Sequence, residues 1–194
     1  MSLTESTMLP LGTQAPDFNL RATDNSLVSL RHFEGAKALV VIFMCNHCPY
    51  VIHISEALAR VSLKYQAQGV AFVGINSNDV EAYPADSFEN MKLEKQQRRY
   101  PFPYLWDEDQ SVARAYLAAC TPDLYVFDER QKLVYRGQFD DTRPHRISSG
   151  NYDSSLGESS GATLAGVLDA VLSGAQPTEK QYPSMGCNIK WKES

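Results

Sequence analysis

The chain has 194 residues, 43% hydrophobic and 21% charged, with a net charge of −5 from 18 basic and 23 acidic residues. That is the composition of one ordinary globular domain with room for a core. The acidic balance weighs against a nucleic-acid partner, no apolar run approaches the roughly 18 residues of a membrane span, and four cysteines are too few for a disulfide-stapled scaffold and point to catalytic use.

In chain order, residues 1–10 carry neither the basic nor the apolar stretch of a signal peptide, so a flexible start and a cytoplasmic location are expected. Phe18 to Leu20 and Leu27 to Leu30 read as short strands around the turn residues Asp24, Asn25 and Ser26, which makes an N-terminal β-hairpin. Leu30 to Phe33 reads as a helical turn ending at Gly35. Leu39 to Met44 is six apolar residues in a row, the signature of a strand buried on both faces. Cys45 and Cys48 follow as a C-x-x-C pair. Pro49 then suits a first helical turn, Ile54, Leu58, Val61 and Tyr65 recur at helical spacing, and Gly69 can close the helix. Val70 to Ile75 is a second buried strand, so the unit is βαβ with a right-handed crossover and parallel strands.

Asp86 and Glu89 resemble a capping box, which predicts a solvated helix from near Ser87 to about Arg99, anchored by Phe88 and Met91. Pro101 to Trp106 suggests a short strand. Asp107, Glu108 and Asp109 then suit the start of a helix over residues 110–119 better than a calcium loop. Leu124 to Asp128 and Lys132 to Gly137 predict an antiparallel hairpin, and residues 140–160 a long loop. Leu164, Val167, Leu168, Val171 and Leu172 mark a last helix, capped by Ser160 and ended by Gly174. Residues 175–194 form a tail in which Ile189 and Trp191 alternate with Lys190 and Lys192, so one face can pack like a short strand.

The C-x-x-C pair carries the chemistry. A thiol at a helix N-terminus faces unpaired N–H groups and the positive end of the helix dipole, both of which favour the thiolate nucleophile. On this reading Cys45 attacks, Cys48 resolves one turn deeper, and a His47 imidazolium between them tunes the Cys45 thiolate. A metal site is the competing reading. Zinc usually takes four ligands, whereas Cys120 and Cys187 stand alone, so Cys45 and Cys48 would have to recruit His47 or His53 as a soft-metal set of the kind a metallochaperone uses. The redox reading is the stronger for a C-x-x-C near a βαβ pattern. Cys120 reads as a core residue. Cys187 reads either as a packed thiol beside Trp191 or as a relay thiol, since residues 175–187 could span on the order of 40 Å if extended.

The stretch Val40 to Pro49 resembles the thioredoxin-like superfamily, in particular the peroxiredoxin-like branch of alkyl hydroperoxide reductases and thiol-specific antioxidants (AhpC/TSA). Gly12-x-x-Ala15-Pro16-Asp17-Phe18-x-Leu20 is similar to that branch's opening strand, and Thr121-Pro122 to its cis-proline loop. Gly186 to Lys192 resembles the end of a thioredoxin-like subgroup. The resemblance covers roughly residues 11–192. It implies a single α/β domain over residues 1–194 with a thioredoxin fold, a central mixed sheet flanked by helices, extended by the hairpin and the tail. It also implies a cis Pro122 whose neighbouring backbone, at Thr121, binds the substrate. The function implied is thiol–disulfide oxidoreductase, with a thiol peroxidase of antioxidant role as the alternative. Partners would be a protein or small-molecule disulfide or dithiol, or a peroxide, with electrons from a thioredoxin or glutathione system. No cofactor and no resident metal are expected. Two departures stand out. The family's hydroxyl residue three positions before the peroxidatic cysteine is replaced by Ile42 ahead of Cys45, or by Cys45 ahead of Cys48. Thioredoxin's buried acid six positions before its first cysteine is replaced by Leu39.

Overall fold

The computed structural model describes residues 3–148, 151–153, 157–178 and 180–193. Strand β1 (Leu3–Glu5) comes first, then β2 (Asn19–Ala22) and β3 (Leu27–Ser29) of the hairpin, and a 3-10 turn over Leu30–Phe33. Next are β4 (Ala38–Phe43), α1 (Pro49–Gln66), β5 (Val70–Asn76), α2 (Phe88–Arg98), β6 (Tyr104–Trp106) and α3 (Ser111–Ala115). The chain continues through β7 (Cys120–Thr121), β8 (Asp123–Asp128), β9 (Leu133–Gly137), the ribbon of β10 (His145–Ser148) and β11 (Asn151–Asp153), α4 (Ala162–Leu172) and β12 (Met185–Asn188).

A seven-stranded mixed sheet in the order β3-β2-β6-β5-β4-β8-β9 forms the centre. β4 runs parallel to β5 and antiparallel to β8. All six residues of β4 are buried, because both faces of the sheet are covered. Val40 and Ile42 join Leu58 of α1 and Leu164 of α4 in one cluster, while Val41 and Phe43 join Tyr116, Tyr125 and Phe127 in the other. Tyr65 ties the two covering helices together, donating to Asp169 Oδ1 at 2.7 Å and to the Ala165 carbonyl at 3.0 Å. This is the α/β architecture expected, with its hairpin and βαβ unit in place. Among the described residues no helix is long and apolar enough to cross a membrane.

Several local expectations are corrected. The capping box does not form at Asp86; Ser87 caps α2, accepting from the Asn90 N–H at 3.3 Å, and Asp86 turns inward. α3 stops at Ala115 instead of running to 119, and Leu117 just beyond it has φ +51°. Its capping acceptor is the buried Asp107, which receives the Val112 and Ala113 N–H groups. Gly161, not Ser160, is the N-cap of α4: its φ is +71°, and a Cβ there would lie 2.6 Å from the Phe139 ring. The segment 140–160, read as loop, contains the β10–β11 ribbon.

The two ends of the chain are also ordered into structure. β12 lies between β1 and β7 in a second, three-stranded sheet. Residues 3–5 are therefore strand where a flexible start was expected; Met1 and Ser2 lie outside the described residues. Beyond β12 the tail is clasped to the body. Asn78 Oδ1 accepts the Lys190 N–H at 2.9 Å, and the Gln110 amide donates to the Lys190 carbonyl at 2.8 Å and accepts the Lys192 N–H at 2.9 Å. Ile189 is buried as expected, but Trp191 stays 38% exposed, under the Arg114 guanidinium at 4.6 Å.

Candidate active site

β4 ends at the C-terminal edge of the sheet, and Met44 carries it one step further by donating to the Ile75 carbonyl at 2.9 Å. Cys45, Asn46 and His47 then make a short loop, and Cys48 is the N-cap of α1, with Pro49 at N1. The Cys48 carbonyl accepts the first helical bond, from Ile52 at 2.9 Å. The helix therefore begins at the second cysteine. The sequence reading had Cys45 in the first turn; it lies three residues before it.

The loop is held by Asp86, whose side chain is fully buried. Its Oδ1 accepts the Asn46 N–H at 2.8 Å and the His47 N–H at 3.4 Å. Its Oδ2 accepts from Asn78 at 2.8 Å and lies 2.7 Å from His47 Nδ1. That last approach is a close ion pair, not an aligned hydrogen bond. Tyr104 braces the loop from below, donating to Asn46 Oδ1 at 3.0 Å. The Tyr83 ring stacks on His47 with centroids 5.8 Å apart. Contact with Asp86 raises the His47 pKa, and burial opposes the rise without cancelling it. The protonated form of His47 is thus favoured, close to Cys45 and Asp86.

The Thr121–Pro122 bond is cis, and Thr121 touches both cysteines. Its Oγ1 lies 3.6 Å from Cys45 Sγ, and its carbonyl accepts the Cys48 S–H at 3.1 Å. β12 then brings in a third thiol. Cys187 pairs opposite Thr121 in the β7–β12 ladder and packs in the same buried cluster as Cys48, close enough to influence its ionisation. It packs on Cys48, not beside Trp191. None of the four cysteines is in a disulfide, and all are buried. Cys120 is the one outside the cluster; burial pushes its thiol up, and its contacts are the Pro122 and Ser184 carbonyls at 3.6 and 3.9 Å, which fits a packing role.

The electrostatics of the pair are unequal. Burial opposes charge on Cys48, but hydrogen bonds from Cys187, Cys45 and Thr121 outweigh it and hold this thiol well below the usual range. Its place at the helix N-cap acts in the same direction. Burial raises Cys45 first, and then its position between the Cys48 charge and Asp86 raises it further. Of the two thiols, ionisation is therefore favoured at Cys48. The neutral Cys48 thiol donates to the Thr121 carbonyl, a bond that the thiolate gives up in exchange for the donors around it.

Among the described residues, one group of three could hold a metal ion: Cys45, His47 and Asp86, with ligand atoms within 4.8 Å of one another. His53 does not join it; its Nε2 is bonded to Thr142 Oγ1 at 2.8 Å, so the Cys45, Cys48 and His53 set is not assembled. Both Asp86 oxygens are already engaged by Asn46, Asn78 and His47.

A model of the AhpC/TSA family matches residues 11–136, well over half of the chain. The chain belongs to the AhpC/TSA family. Chloroplastic peroxiredoxin Q of Oryza sativa subsp. japonica is similar at 26% identity over 137 residues, which is 66% of this chain and 59% of that protein. The match thus spans less than two thirds of the relative's length. An uncharacterised conserved protein from Geobacillus kaustophilus, known as a crystal structure, is 49% identical, with a TM-score of 0.91 over 100% of this chain and 98% of its own. A thiol:disulfide interchange protein of the thioredoxin family from Chlorobium tepidum TLS shares the fold, with a TM-score of 0.61 at 18% identity over 83% of this chain and 97% of its own. Family and fold together support redox thiol chemistry in this AhpC/TSA protein.

Four residues of the site carried no usable sequence signal for it. Asp86 reads locally as a helix cap, and Asn78 and Tyr104 as loop and strand residues. Lys190, buried and 5.6 Å from the Tyr83 ring centroid, reads as a solvated tail lysine. Each reaches the site by tertiary approach alone.

Proposed function

We propose that this protein is a thiol–disulfide oxidoreductase in which Cys48 is the nucleophile and Cys45 the resolving thiol. The observation that carries this reading is the convergence of both thiols on Thr121 beside Pro122, with the Cys48 thiolate favoured over that of Cys45. The Cys48 thiolate attacks one sulfur of a substrate disulfide, making a Cys48–substrate disulfide and releasing the other half as a thiolate. That bond removes the negative charge which had kept the proton on Cys45. Cys45 then ionises beside the His47 imidazolium and attacks Cys48 Sγ. The second half of the substrate leaves as a thiolate, and a Cys45–Cys48 disulfide remains. A thioredoxin or glutathione system restores the dithiol by the same steps in reverse order. Burial of both thiols favours a substrate that is small or that presents its disulfide on a narrow segment.

Thiol peroxidase is the second reading, favoured by the Thr121 hydroxyl at 3.6 Å from Cys45 and by the similarity to peroxiredoxin Q. That hydroxyl comes from another strand and also favours the Cys48 thiolate, so it can serve a peroxide held between the two sulfurs. In this reaction the Cys48 thiolate takes one peroxide oxygen, the alcohol or water leaves with a proton, and Cys45 condenses with the Cys48 sulfenic acid to a disulfide and water. One preparation assayed side by side for disulfide reduction and for peroxide consumption, with a thioredoxin system as electron source, separates the two. Disulfide turnover well above peroxide turnover supports the oxidoreductase, and the opposite ratio the peroxidase. Turnover of both that survives Cys48→Ser would rule out the site.

A further inference from the structure

The tail is built into the site with more care than packing requires. β12 occupies the edge of β7 at Thr121, the residue whose hydroxyl touches Cys45 and whose carbonyl touches Cys48, and its Cys187 lies opposite Thr121 in the ladder. The approach is so close that a Cβ on Gly186 would lie 1.9 Å from the Thr121 carbonyl oxygen. β1 pairs along the other edge of β12, and Asn78 and Gln110 clasp the residues just beyond it. A strand pinned on both sides holds Cys187 opposite the residue that touches Cys45 and Cys48, and all three thiols lie in one buried cluster. Three thiols gathered around one residue are placed for exchange among themselves.

We propose that Cys187 is a third redox thiol, which exchanges with the oxidised pair by attacking Cys48. Cys187 loses its proton and its sulfur bonds to Cys48 Sγ; the Cys45–Cys48 bond breaks, and Cys45 leaves as a thiolate that takes up a proton. One disulfide is exchanged for another, and no external oxidant or reductant is consumed. β12 thereby acts as a substrate strand tethered to its own enzyme, and the oxidised protein holds two interconverting disulfides. In the reduced protein the neighbouring Cys48 raises the Cys187 pKa, so the third thiol becomes readier to attack once Cys48 has been oxidised. The proposal rests on the Cys45–Cys48 reading above and extends it.

The test uses the full-length chain with Cys45→Ser, Cys45→Ser/Cys187→Ser and the unmodified protein, each treated with glutathione disulfide, quenched in acid, alkylated and mapped by mass spectrometry. Oxidation of the unmodified protein to a Cys45–Cys48 disulfide reports on the parent reading by itself. In Cys45→Ser, Cys48 first takes glutathione, and Cys187 then displaces it. The expected product is a Cys48–Cys187 disulfide in at least about tenfold excess over the glutathione adduct, because an oriented neighbouring thiol outcompetes free glutathione. The double variant should retain the adduct. A Cys45→Ser protein that keeps glutathione on Cys48 with Cys187 alkylated would overturn the proposal. So would one that stays fully reduced under conditions that oxidise the unmodified chain. Circular dichroism of each variant confirms that the comparison is made on folded protein.

Discussion

At the residue scale, Asp86 has no solvent to stabilise its charge and depends on the Asn46, His47 and Asn78 groups around it. Charge-assisted bonds of this kind are worth more than neutral ones, and a buried partner left unpaired costs its full desolvation. Asp86→Asn keeps the shape but loses the charge and turns an NH2 toward groups that are themselves donors. It should lower stability by roughly 1–3 kcal/mol. The sharper readout is His47. Its folded pKa is raised by Asp86, so the pair's contribution is complete below pH 6.5 and fades as pH rises through the raised value. An NMR titration of the His47 ring should give a midpoint above 6.5, and Asp86→Asn should move it down; an unmoved midpoint would remove Asp86 as the cause. The place of Cys48 at the helix cap is legible in the sequence at Pro49. Proline is at home at N1, and Pro49 there makes residue 48 the cap, whereas the C-x-x-C spacing alone does not say which thiol begins the helix. Asp86 was not legible, because Ser87 next to it is also a cap former and the two cannot be told apart without the site they flank.

At the element scale, β4 and α1 could be read because their signals are local, an unbroken apolar run and then a helical stripe opened by proline. β12 could be read only as a tendency. Its partners are β1, from the other end of the chain, and the two-residue β7, and no periodicity in Met185–Asn188 announces either. Its position depends on Gly186. Ala there would drive a methyl into the Thr121 carbonyl, a backbone atom that no side-chain rotation can relieve. Gly186→Ala should therefore lift β12 from β7 and lower stability by about 1–3 kcal/mol in denaturant unfolding. It should also weaken the Cys187 bonds that favour the Cys48 thiolate and so raise the Cys48 pKa. A variant with unchanged stability and unchanged thiol titration would show that the close approach is not needed. The ribbon and the α4 cap escaped for a related reason. Asp140 Oδ2 collects the Ser159 hydroxyl and the Ser160 and Gly161 N–H groups, so the start of α4 is fixed by a carboxylate some twenty residues upstream, and Ser160 is left to accept only the Ala162 N–H at 3.3 Å.

At the scale of the whole molecule, two apolar clusters on either side of one sheet supply the stability, and the buried acids make it depend on pH. Asp123, directly after Pro122, is wholly buried against the Ala119 N–H at 3.2 Å and the Tyr125 hydroxyl at 3.1 Å. Burial pushes its pKa up to about 6 from 3.8, although those bonds work against the rise. A carboxyl with a raised folded pKa favours the fold most below its unfolded value and progressively less as pH rises toward the folded one. The two-unit difference corresponds to about 3 kcal/mol as an upper bound. Asp123→Asn, which cannot ionise, should lack this loss between pH 4 and 6, so its stability relative to the unmodified protein should climb across that window in denaturant unfolding. A pH-independent difference would mean that Asp123 keeps an ordinary pKa. The fold class was open to sequence reasoning because the sheet rests on long apolar strands, while the closing of both ends over the active cysteines was not, because it depends on pairings of Cys187 with Leu3 and with Thr121, 184 and 66 positions away.

The central claim is that a Cys45–Cys48 pair carries one negative charge at neutral pH and that Cys48 holds it. Ultraviolet thiolate absorbance, followed against pH on the reduced protein and on Cys45→Ser and Cys48→Ser, tests this most directly. The unmodified protein should show one thiolate with a midpoint well below the free-thiol value of about 8.5. Cys45→Ser, whose hydroxyl can still donate to the sulfur, should keep that early thiolate, and Cys48→Ser should lose it. An early thiolate that persists in Cys48→Ser and disappears in Cys45→Ser would contradict the account and return the nucleophile's role to Cys45.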